Sequence, residues 1–469
     1  MNWNEFADWG SKVSDWTQRY HETIGERPVR AQTEPGDILN ALPATPPETP
    51  EPMEEIFADF ENIVMPGITH WQHPRFFAYF PSNATPPTVL ADFLTAALSP
   101  QCMLWQTSPA ATELETRMMD WLRQALDLPE QFAGVIQDSA SSATLAAVLT
   151  MREKALNWAG NKQGLSGQKR LRIYCSTEVH TSVDRAIWVS GIGQDNLVRV
   201  PIKGGWRGMD PQALDEAIQA DLKAGHQPAG VILCVGGTGV GATDPVDQIL
   251  DVAQRHNLYT HVDAAWAGAA MICPEFRHYW PGVEQADSVV FNPHKWLGVQ
   301  FDCSAHFLKN PEDLVQTLAI QPEYLKTHGK DGIINYSEWT VPLGRRFRAL
   351  KLWFLIRNYG LEGLRDRLRN HVAWSEQLYD RLAQEPDFTI VTPPMWSLWS
   401  FRYTPEEATD LEELNLRLLN AINDDGRIYL TQTRVDGDLV IRFQAGQFET
   451  TEADVMLAFD VITELARAL

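Results

Sequence analysis

An α/β fold is predicted: a mainly parallel central sheet flanked by helices, with an N-terminal helical segment and a small α+β C-terminal domain. Three observations predict it. Between about residues 85 and 345, compact runs rich in strand formers alternate with helix-length segments. An aromatic stripe at helical spacing opens the chain. From about residue 346 the texture changes to helices and hairpin-like pairs. The expected divisions are residues 1–84, 85–345 and 346–469.

The chain has 469 residues, 44% hydrophobic and 21% charged, which is the balance of a globular protein with a full core. Net charge is 39 − 61 = −22, which disfavours nucleic acid and anionic membrane as partners. No basic and apolar leader is visible, and no apolar run approaches the roughly 20 residues that cross a bilayer. Cys102, Cys175, Cys234, Cys273 and Cys303 are scattered without a C-x-x-C pair, so a cytoplasmic location is the default expectation.

In order along the chain, Trp3, Phe6, Trp9, Val13, Trp16 and Tyr20 recur at spacings of three and four, on one helix face. That stripe packs either on its own domain or on a partner subunit. The proline-rich stretch 42–52 reads as an extended connector. Thr112 to Leu126 is an amphipathic helix. Gly134–Gln137, Leu171–Cys175, Val231–Val235, Leu258–Val262 and Ser288–Phe291 are strands. Asp244-Pro-Val-Asp247 reads as a helix start with Asp244 as its cap. A helix carries Phe347 to Arg357 and another runs from Leu361 to Leu382. Hairpins follow at 388–403 and 427–443, the second turning at Asp436-Gly437. Helices at 411–422 and 452–469 complete the module.

Three strand ends carry polar residues that a buried strand does not need, and ligands bind beyond the C-terminal ends of parallel strands. Gln137-Asp-Ser-Ala-Ser-Ser-Ala-Thr144 is a small-residue turn opening a helix, suited to a phosphate. Asp263 ends an apolar strand. Lys295 follows another, between His294 and Trp296, where desolvation makes an amine nucleophilic. Phosphate cradle, carboxylate and activated lysine are together the three handles of pyridoxal phosphate. Two competing readings are weaker. Gly237-Thr-Gly239-Val-Gly-Ala242 fits a dinucleotide fingerprint, yet the expected helix start comes after the glycines. His70-x-x-His73 lacks further ligands, so no metal site is expected.

Many motifs, in order, resemble the aromatic-L-amino-acid decarboxylases, a group II family of pyridoxal-phosphate enzymes. They include Phe76-Phe-Ala-Tyr-Phe-Pro81, Ser108-Pro-Ala-Ala-Thr-Glu-Leu-Glu115, His180-Thr-Ser-Val-Asp-Arg-Ala186, His261-Val-Asp-Ala-Ala265, Cys273-Pro-Glu-Phe-Arg-His278, Asn292-Pro-His-Lys-Trp296 and Pro342-Leu-Gly-Arg-Arg-Phe-Arg348. The resemblance implies fold type I of the pyridoxal-phosphate-dependent transferases. It also implies a homodimer with a shared active site, and an N-terminal segment that packs on the partner. It implies that Lys295 holds the cofactor covalently, Asp263 meets its pyridine nitrogen and His180 stacks on its ring. Ala140, Ser141, Asn292 and His294 lie where the family holds the phosphate end, with Thr238 and Ala265 near the ring. Trp71, Tyr79, Phe80, Ser82, Met103 and Gly344 match substrate-pocket positions. Lys326 to Pro342, with Gly329 and Gly332, reads as a mobile lid, and Tyr336 in it matches the family's proton donor. The implied reaction is decarboxylation of an aromatic L-amino acid of the tryptophan, tyrosine, phenylalanine or DOPA class to its amine. An aromatic aldehyde synthase and a decarboxylase of a non-aromatic amino acid are the alternatives.

Overall fold

The computed structural model describes residues 1–320 and 333–469. The chain divides into two compact units, Ser82–Asn370, and Met1–Pro81 together with His371–Leu469.

The first of these units is built on a seven-stranded sheet. Its strands are β1 (Ala133–Gln137), β2 (Leu171–Ser176), β3 (Leu197–Val200), β6 (Gln227–Cys234), β7 (Tyr259–Asp263), β8 (Ser288–Phe291) and β9 (Ser304–Leu308). A small ribbon, β4 (Ile202–Lys203) with β5 (Gly208–Met209), lies between β3 and β6 in the chain. The spatial order is β1-β9-β8-β7-β6-β2-β3. The pairs β7/β8, β6/β7, β2/β6 and β2/β3 are parallel, while β9 runs antiparallel to both β1 and β8. Six strands therefore point one way and β9 alone is reversed. Every residue of β7, β8 and β9 is buried, so both faces of the sheet are covered. The helix Ala140–Ala155 packs across β6, β7, β8 and β9, and the helices Pro211–Lys223 and Val246–Arg255 pack on β6.

The same-direction strands bring their C-terminal ends to one edge. Beyond that edge come Asp138–Ser141 after β1, His180 after β2, Thr238 after β6, Asp263 at the end of β7, and Lys295 after β8. The sheet thus gathers residues far apart in the chain.

One expectation needs correction here. Asp244 does not cap the helix Val246–Arg255, whose N-cap is Pro245. Its carboxylate is buried and accepts from the N–H groups of Met209 and Cys234, both at 2.7 Å. Burial pushes its pKa up to about 6, against those two donors. The glycines before it form a closed turn, with Gly237 N–H and Gly236 N–H on Ala242 O and Gly241 N–H on Gly237 O. No helix starts within them, so the dinucleotide reading fails on geometry.

The other unit holds an antiparallel sheet of β10 (Phe388–Met395), β11 (Leu398–Tyr403), β12 (Thr431–Val435) and β13 (Asp438–Gln444), in the order β10-β11-β13-β12. The turn at Asp436-Gly437 has both residues at positive φ, +52° and +99°, the geometry that suits a two-residue hairpin. Trp399, Phe401, Ile441 and Phe443 form its core with Leu418 and Ile422 of the helix Leu411–Asp425 and Val461 and Ile462 of the helix Glu452–Arg467.

The N-terminal residues are part of this unit rather than a separate segment. Val29 N–H donates to Gly426 O, Phe77 N–H to Tyr429 O, and Gln444 N–H to Phe77 O. The N-terminal helix Phe6–Thr23 buries no residue; Trp9 and Trp16 lean on Phe57, and Tyr20 OH meets His70 Nδ1 at 2.9 Å. The long helix Ala349–Leu382 crosses the division between units. The break expected near Arg357 falls at Gly360, whose φ of +65° interrupts it.

Candidate active site

Lys295 sits in the turn that follows β8, with φ −91° and ψ −105°, inside a helical turn it interrupts. Backbone contacts hold it there. Lys295 N–H donates to Asn292 O at 2.9 Å, and its carbonyl accepts from Asn83 Nδ2 at 2.7 Å. The side chain is half-buried. The indole of the next residue, Trp296, stacks on Trp266 with centroids 4.8 Å apart.

Asp263 ends β7 and is buried. Its Oδ1 accepts from Ala265 N–H at 3.0 Å. Burial raises its pKa, opposed by the Lys295 charge, the Ala265 N–H and His180. His180 has the complementary balance: burial lowers its pKa, the Asp263 charge raises it and Lys295 lowers it. Carboxylate, amine and imidazole therefore sense one another. Ser182 N–H donates to His180 Nδ1 at 3.1 Å, which makes Nδ1 an acceptor and leaves the proton of the neutral ring on Nε2. The ring remains exposed, so it offers a face to a ligand.

The phosphate-cradle candidate follows β1. Ser139 caps the helix Ala140–Ala155 and its Oγ accepts from Ser142 N–H at 3.3 Å. Ala140 is buried with Ala143 and Val290, and Ala265 packs on them, while Ser141 is exposed at the helix N-terminus. Asn292 accepts a 2.6 Å bond from Ser304 Oγ, and its N–H reaches Ala265 O at 2.8 Å. His294 accepts from Cys303 N–H at 2.8 Å, and burial together with the Lys295 charge pushes its pKa down to about 3. Thr238 is half-buried in the closed glycine turn. The set fits pyridoxal phosphate: a lysine amine, a buried carboxylate next to it, an open imidazole face and an anion-binding helix start all lie along one sheet edge.

Two residues of this site were not read from the sequence. Asn83, whose amide and N–H hold the carbonyls of Lys295 and His294, is distant in the chain and carries no motif of its own. Ser304, which orients Asn292, opens a strand that was not expected.

The substrate candidates divide between the units. Ser82, Met103 and Gly344 belong to the same unit as Lys295. Gly344 lines a cavity of about 350 Å³ with Gln101 and Arg345 to Arg348. Arg345 N–H donates to Gln101 Oε1 at 2.8 Å, and a Cβ on Gly344 would stand 3.4 Å from Gln101 Nε2. Trp71, Tyr79 and Phe80 belong to the other unit, where Trp71 stacks on Phe76 at 4.5 Å and on Tyr79 at 5.9 Å.

Tyr336 departs from the expected lid. It is 1% exposed and packs with Val135, Ala146, Leu308, Leu314 and Trp339. Its hydroxyl lies 2.9 Å from Thr116 Oγ1, which itself donates to Thr112 O, so Tyr336 is the donor in that pair. Arg345, bound to Glu115 at 2.6 Å, covers its ring. A tyrosine anchored this way is core, and burial raises its pKa. Residues 326–332 of the expected lid, with Gly329 and Gly332, lie outside the described residues. Among the described residues, no cluster of His, Cys, Asp or Glu is arranged to hold a metal ion.

Comparison with known proteins agrees with this geometry. Residues 35–404 match the pyridoxal-dependent decarboxylase conserved domain. The aromatic-L-amino-acid decarboxylase of Mus musculus is 40% identical over 486 residues, covering 100% of this chain and 99% of the mouse protein. The phenylacetaldehyde synthase of Arabidopsis thaliana is 37% identical, covering 100% and 97%. The structure of Oryza sativa TDC with PLP and tryptamine superposes with a TM-score of 0.96 at 34% identity, covering 100% of this chain and 99% of that one. This chain belongs to the family of pyridoxal-phosphate-dependent decarboxylases.

Proposed function

We propose that this protein decarboxylates aromatic L-amino acids to arylalkylamines and CO2. The observation that carries the reading is that the sheet order brings Lys295, Asp263 and His180, far apart in the chain, to one edge, with the helix start of Ala140 and Ser141. Support for an aromatic substrate comes from relatives named as tryptophan, tyrosine and aromatic-L-amino-acid decarboxylases, at 36–40% identity over nearly the whole chain. When bound, pyridoxal phosphate supplies an electron-accepting ring conjugated with the substrate's nitrogen. Lys295 would hold the cofactor through its amine, Asp263, kept from water, would hold the proton of the pyridine nitrogen, and the open face of His180 would cover the ring. The helix start at Ala140 and Ser141 would hold the phosphate end, and these contacts together would orient the substrate.

A kinetic panel tests the reading. Tryptophan, tyrosine, phenylalanine and DOPA should yield CO2 and amine, while histidine and glutamate should not. Preference for glutamate contradicts it, and aldehyde as the main product favours the synthase alternative. Gly344→Ser should fold with stability within about 0.5 kcal/mol of the parent. It should raise KM for tryptophan more than for phenylalanine, because the added atoms narrow the cavity beside Gln101. Equal KM changes for both substrates contradict a pocket role for Gly344.

The proton returned to the substrate's α-carbon needs a donor that can reach it. Tyr336 is committed to Thr116; Tyr324, the tyrosine that precedes it in the chain, lies outside the described residues and is the candidate that substitution tests. Tyr336→Phe should lose one buried hydrogen bond, about 1 kcal/mol, and keep its amine yield. Tyr324→Phe should divert turnover toward aldehyde, ammonia and peroxide at the expense of dioxygen. The reverse assignment of these two outcomes restores Tyr336 as donor. Product analysis by mass spectrometry with an oxygen electrode reads both.

A homodimer and a cytoplasmic setting complete the proposal. Leu90, Phe93, Leu94 and Leu98 expose an apolar stripe on the helix Pro86–Leu98, at 42–67% exposure, which suits a second copy. The five cysteines are free and buried, as suits a reducing compartment. Among the described residues, no helix is long and apolar enough to cross a membrane.

A further inference from the structure

Four buried side chains form one polar chain behind the site. Thr144 Oγ1 lies 3.4 Å from His261 Nε2. His261 Nδ1 lies 2.8 Å from Ser288 Oγ, and Ser288 Oγ lies 2.7 Å from His306 Nε2. All four residues are fully buried.

Each member stands on a different element. Thr144 is one turn into the helix Ala140–Ala155, whose start carries Ala140 and Ser141. His261 is on β7, two residues before Asp263 and therefore on the same face of that strand. Ser288 opens β8, the strand that leads to Asn292 and Lys295. His306 is on β9, which pairs with β8. The chain thus crosses all three elements that carry the three cofactor handles.

Its protons are ordered by simple counting. Burial pushes the pKa of His306 down to about 3 and that of His261 well below the usual value, so both rings are neutral. A neutral imidazole has one N–H and one lone pair, and Ser288 has one hydroxyl proton. Ser288 donates to one ring and accepts from the other, and because it meets Nδ1 of His261 but Nε2 of His306, both rings carry their proton on the same nitrogen, Nε2 or Nδ1 together. Among the described residues, His306 Nδ1 ends the chain with no hydrogen-bond partner. Apolar side chains fill a core without such costs. What the polar chain adds is a fixed register among its four elements.

We propose that Thr144, His261, Ser288 and His306 are positioning residues that hold the helix start, Asp263 and the Lys295 strand in the register needed to grip one pyridoxal phosphate. The proposal rests on the cofactor reading above and says which residues behind the site enforce it.

Cofactor retention tests it. Holoenzyme is dialysed, and the dissociation constant for pyridoxal phosphate and the absorbance of the bound chromophore are measured for Ser288→Ala, Thr144→Val and the control Ile232→Val. Ile232 is fully buried on β6 of the same sheet but outside the chain. Ser288→Ala, which strips a partner from both rings, should weaken retention about tenfold and shift the chromophore. Thr144→Val should weaken it about threefold at the long end contact. Ile232→Val should leave both readouts unchanged whatever melting temperature it loses. A folded Ser288→Ala with wild-type retention and absorbance overturns the proposal, as does a loss that Ile232→Val matches. If Ser288→Ala does not fold, Thr144→Val decides, and an unchanged constant there overturns it. A wild-type protein that retains no pyridoxal phosphate overturns the cofactor reading instead.

Discussion

Lys295→Ala should give a folded, colourless protein whose kcat falls by more than about 10⁴-fold, a loss of about 5 kcal/mol of transition-state stabilisation. The fold should survive because the turn is held by its backbone. Asn83 binds the Lys295 carbonyl and Asn292 accepts its N–H, and neither contact uses the side chain. The chemistry should not survive, because the proposed role of the amine is to anchor the cofactor. Electrostatics changes as well. The Lys295 charge holds down the pKa that burial raises at Asp263, so its loss lets that carboxyl rise further. Lys295→Arg separates the two effects: it keeps the charge but offers a guanidinium that stays protonated and is no nucleophile. It should be as inactive as the alanine variant. Substantial turnover by either variant, with wild-type melting temperature, contradicts the role.

Asp263→Asn has the next largest expected effect, a fall in kcat of about 10³-fold, or about 4 kcal/mol. The amide oxygen can still accept from Ala265 N–H, so the end of β7 should keep its shape. What disappears is a full negative charge in a site shielded from water, where a charge interaction is far stronger than in bulk solvent. Without it the pyridine nitrogen loses its proton and the ring takes up electrons poorly. Asp263→Glu should recover part of the rate, since the charge returns at a changed distance. Cofactor binding should weaken less than turnover, because Lys295 and the helix start remain. An Asn variant with kcat within tenfold of the parent contradicts the assignment.

How much of this was legible beforehand depends on the range of the interaction. β1, β2, β6, β7 and β8 were readable because strands buried on both faces are near-continuous apolar runs. β3 and β9 escaped. Leu197–Val200 is only four residues long with an arginine inside it, too short a run to read as a strand, and Ser304-Ala-His-Phe-Leu308 hides two polar side chains that Ser288 and Asn292 bond. The polar residues at strand ends pointed to Asp263 and Lys295 correctly as neighbours. From the residues themselves nothing tied His180 to them; the resemblance implied it, and the sheet order shows that the strand before it, three places from β8, ends on their edge.

Three local readings failed for one reason, that a local pattern does not show its distant partner. Asp244 resembles an N-cap before a proline, yet Met209 and Cys234 claim its carboxylate. Tyr336 sits in a polar, glycine-flanked stretch, yet Thr116 claims its hydroxyl. The N-terminal segment reads as separate in composition, yet it exchanges backbone bonds with residues near the other end of the chain, such as Gly426 and Gln444.

The claim on which everything else stands is that the Lys295 amine carries pyridoxal phosphate. Borohydride reduction of the yellow protein, followed by digestion and mass mapping, measures it directly. The expected result is one phosphopyridoxyl group, on the peptide containing Lys295. Lys351, buried at 2% exposed and bound to Gln300 Oε1 at 2.8 Å, should stay unmodified. A label on Lys351 or any other lysine, or no label at all, contradicts the account.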